Sequence, residues 1–159
     1  MVNKKTLSNG LRIVHMPMDD MQMVYVNLLY GVGARNESYE HTGIAHLLEH
    51  LMFEGTKAVP SFDEPLEYAG GENNAYTTND VTNYYIALPK QNAELAFWME
   101  SDRMCNVKFG NKKVDIQRQV VMEEFKQTKL NRPYGDASLI LRSMAYKVHP
   151  YRWSTIGRE

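Results

Sequence analysis

The sequence predicts an α+β fold, an antiparallel sheet packed by helices on one face. Three observations predict it. Segments rich in β-formers are joined by short turns, the apolar period becomes helical at Thr42, and three helical stretches follow Pro89.

The elements read in order. Thr6 to Val14 is a hairpin around Asn9-Gly10, a pair suited to a tight turn that needs positive φ. Met23 to Tyr30 is a strand bounded by Gly31 and Gly33. No third glycine and no Gly-Lys-Ser/Thr follows, so this is strand-end geometry and not a nucleotide loop. From Thr42 to Phe53, Ile44, Leu47, Leu48, Leu51 and Met52 recur at helical spacing, and Gly55 stops the helix. Leu47, Leu48 and Leu51 are its expected core contacts.

Ser61 with Glu64 forms a capping box for a short helix to Tyr68. Two strands follow, Asn73 to Thr78 and Val81 to Leu88, around Asn79-Asp80. Helices are predicted over Asn92–Met104, with Leu95, Phe97, Trp98 and Met99 as bulky residues, over Lys112–Leu130 and over Asp136–Tyr146. The residues from His149 onward form no clear closing element.

A chain of 159 residues fits one domain, residues 1–159, with a real core. Its net charge of −1 gives no electrostatic reason to expect nucleic acid or an anionic membrane as partner. No window approaches about 18 continuous apolar residues, so no membrane span is expected. No apolar segment follows Lys4-Lys5, which reads as a cytoplasmic chain, or a periplasmic one if a leader has been removed. The single Cys105 excludes an intramolecular disulfide and is expected to be a packing residue.

The motif that carries chemistry is His46-Leu47-Leu48-Glu49-His50. Residues four apart on a helix project from one face, one turn apart, so two imidazoles here suit a zinc ion. Glu49 flanks that position without having to ligate it, and a carboxylate there can take a proton from a metal-activated water. The pattern is HExxH reversed, and both serve metal-assisted hydrolysis. Chance alone produces it in roughly one such chain in a hundred. A catalytic zinc site usually takes three protein ligands. His15, His41 and His149 lack partners at ligand spacing, and His41 reads as a cap or surface residue. The better candidates are Glu123 and Glu124 on the Lys112–Leu130 helix.

With its flanks, from Gly43 to Thr56, the motif resembles the pitrilysin/insulysin family of zinc peptidases, which includes the mitochondrial processing peptidases. Further matches follow the family's order: Leu7-Ser8-Asn9-Gly10-Leu11, Gly31-Val32-Gly33-Ala34-Arg35, Gly70 to Thr77, Thr82-Asn83-Tyr84-Tyr85 and Arg118 to Glu124. The wording of these segments is most similar to bacterial members of the Bacteroidetes type.

The resemblance implies a half domain of that family, truncated at its C-terminus, with one Zn2+ per chain. It implies Glu124 as the third ligand, in the register of an Arg-x-Val-Val-x-x-Glu pattern, and Glu49 as base. Gln117 stands where many members carry a supporting glutamate; Gln117, Val121 and Glu124 share one helical stripe. Asn74 and Ala75, with Tyr76 and Phe53, are implied to bind a peptide as an added strand. The implied activity is hydrolysis of a peptide or unfolded polypeptide by a metal-activated water. The implied partner is a homologous second half or subunit, without which the fragment would be inactive. A non-catalytic half that binds peptide or partner is the alternative.

Overall fold

The computed structural model describes residues 1–158. Strands β1 (Asn3–Thr6) and β2 (Arg12–His15) form a separate antiparallel hairpin, with every strand residue exposed. Its loop closes through Leu7 N–H to Leu11 O, and Gly10 holds the positive φ of 87° that the turn needs.

The main sheet has the order β3-β5-β4, all antiparallel: β3 (Met23–Tyr30), β4 (Glu72–Thr77) and β5 (Thr82–Pro89). The register aligns Val24 with Leu88, Val26 with Ile86 and Leu28 with Tyr84. Ala75 falls opposite Tyr84, and Thr77 opposite Thr82. Side chains alternate across a strand, so these residues share the face turned to the helices. The alternate residues Tyr25 and Leu29 are exposed on the other face.

The core lies between that inner face and two helices, α2 (Asp63–Tyr68) and α3 (Ala93–Asn106), and joins Val26, Val59, Phe62, Leu66, Ile86, Leu88, Ala96 and Met99. The expected capping box at α2 is not formed: Phe62 is the N-cap and has no side-chain cap bond, and only a long bond from Glu64 N–H to Ser61 Oγ, at 3.4 Å, remains of it. On α3 the buried stripe is Ala96, Met99, Glu100 and Arg103, while Phe97 and Trp98 are exposed. Helix geometry fixes this: 96, 99, 100 and 103 share one face, and Phe97 and Trp98 fall outside it. Cys105, expected to pack, is exposed on the same helix.

Helix α1 (Ile44–Leu51) packs between β4, β5 and α4 (Asn111–Phe125). Its first residue follows Gly43, whose φ of 88° suits glycine and whose Cα side faces Gly157 so closely that an added Cβ would sit 2.9 Å from the Gly157 Cα. Ala45, Glu49 and Leu51 are buried, Leu47 is half-buried, and Leu48 is exposed. Leu48 therefore contributes less to the core than its apolar spacing predicts.

Helix α4 continues into a wider turn over Lys126–Leu130, in which Asn131 N–H reaches back to Lys126 O at 2.8 Å. Helix α5 (Ala137–Ala145) and the segment behind it fold back on the β4–β5 turn. Arg142 donates to Asn79 Oδ1 at 2.9 Å, the Tyr151 hydroxyl lies 2.6 Å from the Asp80 carboxylate, and Trp153 Nε1 donates to Ala34 O at 2.7 Å. The C-terminal segment thus closes the fold by polar contacts, which apolar periodicity does not register; Glu159 lies outside the described residues. No helix among the described residues is long and apolar enough to cross a membrane.

Candidate metal centre

Helix α1 presents His46 and His50 one turn apart, their rings 4.7 Å from centre to centre and nearly perpendicular. Helix α4 brings Glu124 against them. Its Oε2 lies 3.7 Å from His46 Nε2 and 3.5 Å from His50 Nε2. One donor atom from each of the three lies within 4.8 Å of the others. Glu123, its neighbour, points elsewhere and pairs with Lys126 at 2.6 Å.

The chemistry of this donor set fits zinc. Bonds of about 2.0–2.1 Å at tetrahedral angles put neighbouring donors about 3.3–3.4 Å apart. The two Glu124 contacts are close to that edge and too long for good hydrogen bonds. Burial, the largest effect on His46, pushes its imidazole below the ordinary histidine range; the Glu124 carboxylate opposes this. Neutral imidazole is the form that ligates a metal. The buried Nδ1 of His46 makes no hydrogen bond to the described residues.

Glu49 is buried at 9% exposure, and its carboxylate stands outside the three converging donors. It accepts a hydrogen bond of 2.5 Å from the Thr77 hydroxyl at the end of β4. Glu37, in the loop before α1, accepts from the backbone N–H groups of Gly43 at 2.9 Å and Ala45 at 2.7 Å. These are orphan donors of the helix start, which a carboxylate satisfies with charge of the favourable sign. Burial nonetheless raises the Glu37 carboxyl above its ordinary value, and those backbone bonds only partly offset it.

Gln117 makes no hydrogen bond to His46, His50 or Glu124. Its Nε2 donates to Glu54 Oε1 at 2.6 Å, and Lys113 holds the same carboxylate through Oε2 at 3.4 Å. On β4, Ala75 is on the inner face, whereas Asn74 and Tyr76 point to the opposite side and are exposed. β4 pairs with β5 alone, so its other edge has no strand partner among the described residues. At that strand the Ala75 N–H is taken by the Asn74 side chain, Oδ1, at 2.8 Å. Phe53 is half-buried, 6.1 Å from the Tyr84 ring and over the Arg103 guanidinium at 5.0 Å. It packs into the layer beneath α1.

Two residues at this centre escape the motif reading. Thr77 was accessible to it, since strand alternation puts it on the inner face with Ala75. Glu37 was not, because its bond to the helix spans a loop of irregular backbone.

Residues 13–157 match the family described as Insulinase (Peptidase family M16). The chain is 36% identical over 155 residues to the zinc protease PqqE of Helicobacter pylori, covering 96% of this chain and 35% of that protein. It is 34% identical over 124 residues to a probable mitochondrial-processing peptidase subunit beta of Arabidopsis thaliana, covering 77% of this chain and 23% of that one. Among solved structures, a protease from Helicobacter pylori superposes with a TM-score of 0.95 at 35% identity, over 99% of this chain and 39% of that chain. The periplasmic protease PqqL from Escherichia coli superposes with a TM-score of 0.86 at 28% identity, over 99% of this chain and 18% of that chain. The chain therefore spans between 18% and 39% of the length of these relatives. With a match running almost from end to end, this chain belongs to the insulinase family of zinc peptidases, M16.

Proposed function

We propose that this chain is the metal-binding half of a zinc-dependent endopeptidase or oligopeptidase, with His46, His50 and Glu124 as ligands and Glu49 as catalytic base. The observation that carries the reading is the convergence of three donor atoms, from two helices, within 4.8 Å of one another, with Glu124 near the edge length of a tetrahedral site from both imidazoles.

When bound, zinc supplies a water of lowered pKa and a Lewis acid for the scissile carbonyl. The rest falls to the protein. Glu49, held at the edge of the donor set, takes a proton from the attacking water and returns it to the leaving amine. Its burial keeps bulk water away from that proton. The free edge of β4 takes the peptide as an added strand, with Ala75 N–H exchanging the Asn74 side chain for a substrate carbonyl. Tyr76 flanks the strand, and Phe53 supports the site from below. Gln117 steadies α4 through Glu54, one step removed from the metal.

The complete enzyme, in this reading, closes a homologous second half over the peptide, and the present residues alone are inactive. The limited share of the relatives that the chain covers supports this. The description of the Escherichia coli relative as periplasmic favours that compartment over the cytoplasm. The second reading is a non-catalytic half that binds peptide or partner; it draws on Gln117, which turns to Glu54 and brings no charge to the centre.

Elemental analysis of this chain and of its Glu124→Ala variant tests the reading. About one zinc per chain in the parent, lost in the variant, is the expected result. A folded parent without zinc would overturn it. A fluorogenic peptide assay on the complete protein separates the enzyme from the binding half.

A further inference from the structure

We propose that Thr77 is a positioning residue of this centre: its hydroxyl holds the Glu49 carboxylate beside the metal position and keeps it from becoming a fourth protein ligand. The inference rests on the metallopeptidase reading above and deepens it.

The problem is one of reach. Glu49 is next to His50 in sequence and three residues from His46 on the same short helix. A glutamate side chain turns about three bonds, and carboxylates ligate zinc readily. A site with four protein ligands is a closed, structural site; a catalytic one keeps a position for water. Something must therefore hold Glu49 back.

The Thr77 hydroxyl is the hydrogen-bonding side chain found on that carboxylate, at 2.5 Å from Oε2. Its mount is rigid. Thr77 ends β4, is paired in register with Thr82, and precedes a turn closed by Thr78 N–H to Val81 O at 2.8 Å. The direction of its proton is set as well. Thr82 lies 3.5 Å away, hydroxyl to hydroxyl, and gives its single proton to Val32 O at 3.0 Å. Thr82 thus has no proton to offer, and the Thr77 proton goes to Glu49. A bond to a charged acceptor is the stronger kind and outweighs a neutral contact at that separation. One carboxylate oxygen is tied down, and the other is left for the water.

Cobalt(II) in place of zinc reads the coordination directly through its visible spectrum. The experiment compares the parent with Thr77→Val and Thr77→Ser, each also combined with Glu49→Gln, and titrates acetohydroxamate as a probe of the open position. The expected result is that all bind cobalt. Thr77→Val should shift the visible bands and weaken hydroxamate by about tenfold or more. Thr77→Ser should match the parent. In the Glu49→Gln background, Thr77→Val should change neither readout.

A Thr77→Val protein with the parent's spectrum and hydroxamate affinity would overturn the proposal. So would a shift that persists in the Glu49→Gln background, because the hydroxyl would then act on the fold and not on Glu49. Thr77→Ala stands in if Thr77→Val does not fold; loss of fold in both, with Thr77→Ser intact, would assign the residue a structural role and overturn the proposal too. A parent that binds no cobalt is a separate outcome, which sinks the metal-site reading and this inference with it.

Discussion

Arg103 and Glu100 lie 3.4 Å apart on one face of α3, with side-chain exposures of 1% and 4%. The guanidinium sits in an aromatic box, 4.0 Å over the Phe62 ring and 5.0 and 5.1 Å over those of Phe53 and Tyr84. Its nitrogens find ring faces and one carboxylate but no hydrogen bond to the described residues. Against Phe53, just past the end of α1, thus lies a desolvated ion pair. Breaking such a pair leaves an uncompensated buried charge, whereas replacing both members can be neutral. Arg103→Met should cost about 3–5 kcal/mol in urea unfolding, and Arg103→Met with Glu100→Met should recover most of the loss.

Burial raises the Glu100 carboxyl above its ordinary value, more than Arg103 lowers it. The folded chain therefore holds this proton to a higher pH than the unfolded chain does. The group's stabilising contribution is complete below its unfolded value and is lost as pH rises through the folded one. Stability curves measured from pH 4 to pH 7 should fall more steeply with pH in the parent than in Glu100→Gln. Equal slopes would mean that the carboxyl is not desolvated.

Glu49→Gln keeps the size of the side chain and removes its basicity. Zinc content should be unchanged, and peptide turnover by the complete enzyme should fall roughly a hundredfold to ten-thousandfold. His50→Ala should lose both zinc and turnover. Full activity in Glu49→Gln would remove Glu49 from the role of base.

Glu37 ties the loop ahead of α1 to the helix start through Gly43 and Ala45. Glu37→Ala should cost about 0.5–2 kcal/mol, the range for loss of a helix cap. Zinc affinity should drop with it, since His46 follows Ala45 directly. Because burial works against the ionised form, Glu37→Gln should be the milder substitution. A chelator competition series gives the affinity and a thermal melt the stability.

Cys105 is exposed near the end of α3. A thiol reagent such as dithionitrobenzoate should label it fully under native conditions, at a rate that denaturant changes little. Slow labelling that needs unfolding would mean that the thiol is covered.

The sequence made the sheet, the helices and the two histidines legible because each obeys a simple period. Strand alternation set the inner face, and the i, i+4 spacing put His46 and His50 together. Glu124 was separable from Glu123 only through a family register, since a pair of adjacent glutamates carries no period of its own. Other features were illegible for physical reasons. Glu100 and Arg103 have the look of a solvated helix face, and only tertiary packing turns them inward. Leu48 and Cys105 err the other way, as apolar residues whose helix faces happen to look outward. The clasp of Arg142, Tyr151 and Trp153 on residues far earlier in the chain leaves no local signal at all.

The edge of β4 that has no strand partner among the described residues has a further consequence, for solubility. An edge strand that accepts a peptide backbone accepts any extended chain, including another copy of itself. This strand is short, and Glu72, Asn74 and Tyr76 face outward along it. A charge and an amide on a six-residue edge discourage long, flat pairing. Asn74, by occupying the Ala75 N–H in the absence of a guest, also covers one of the donors through which two copies would zip together. Substituting Asn74 by an apolar residue would then uncover that donor and raise local stickiness together, so the position proposed above to meet the substrate also guards the protein against self-association.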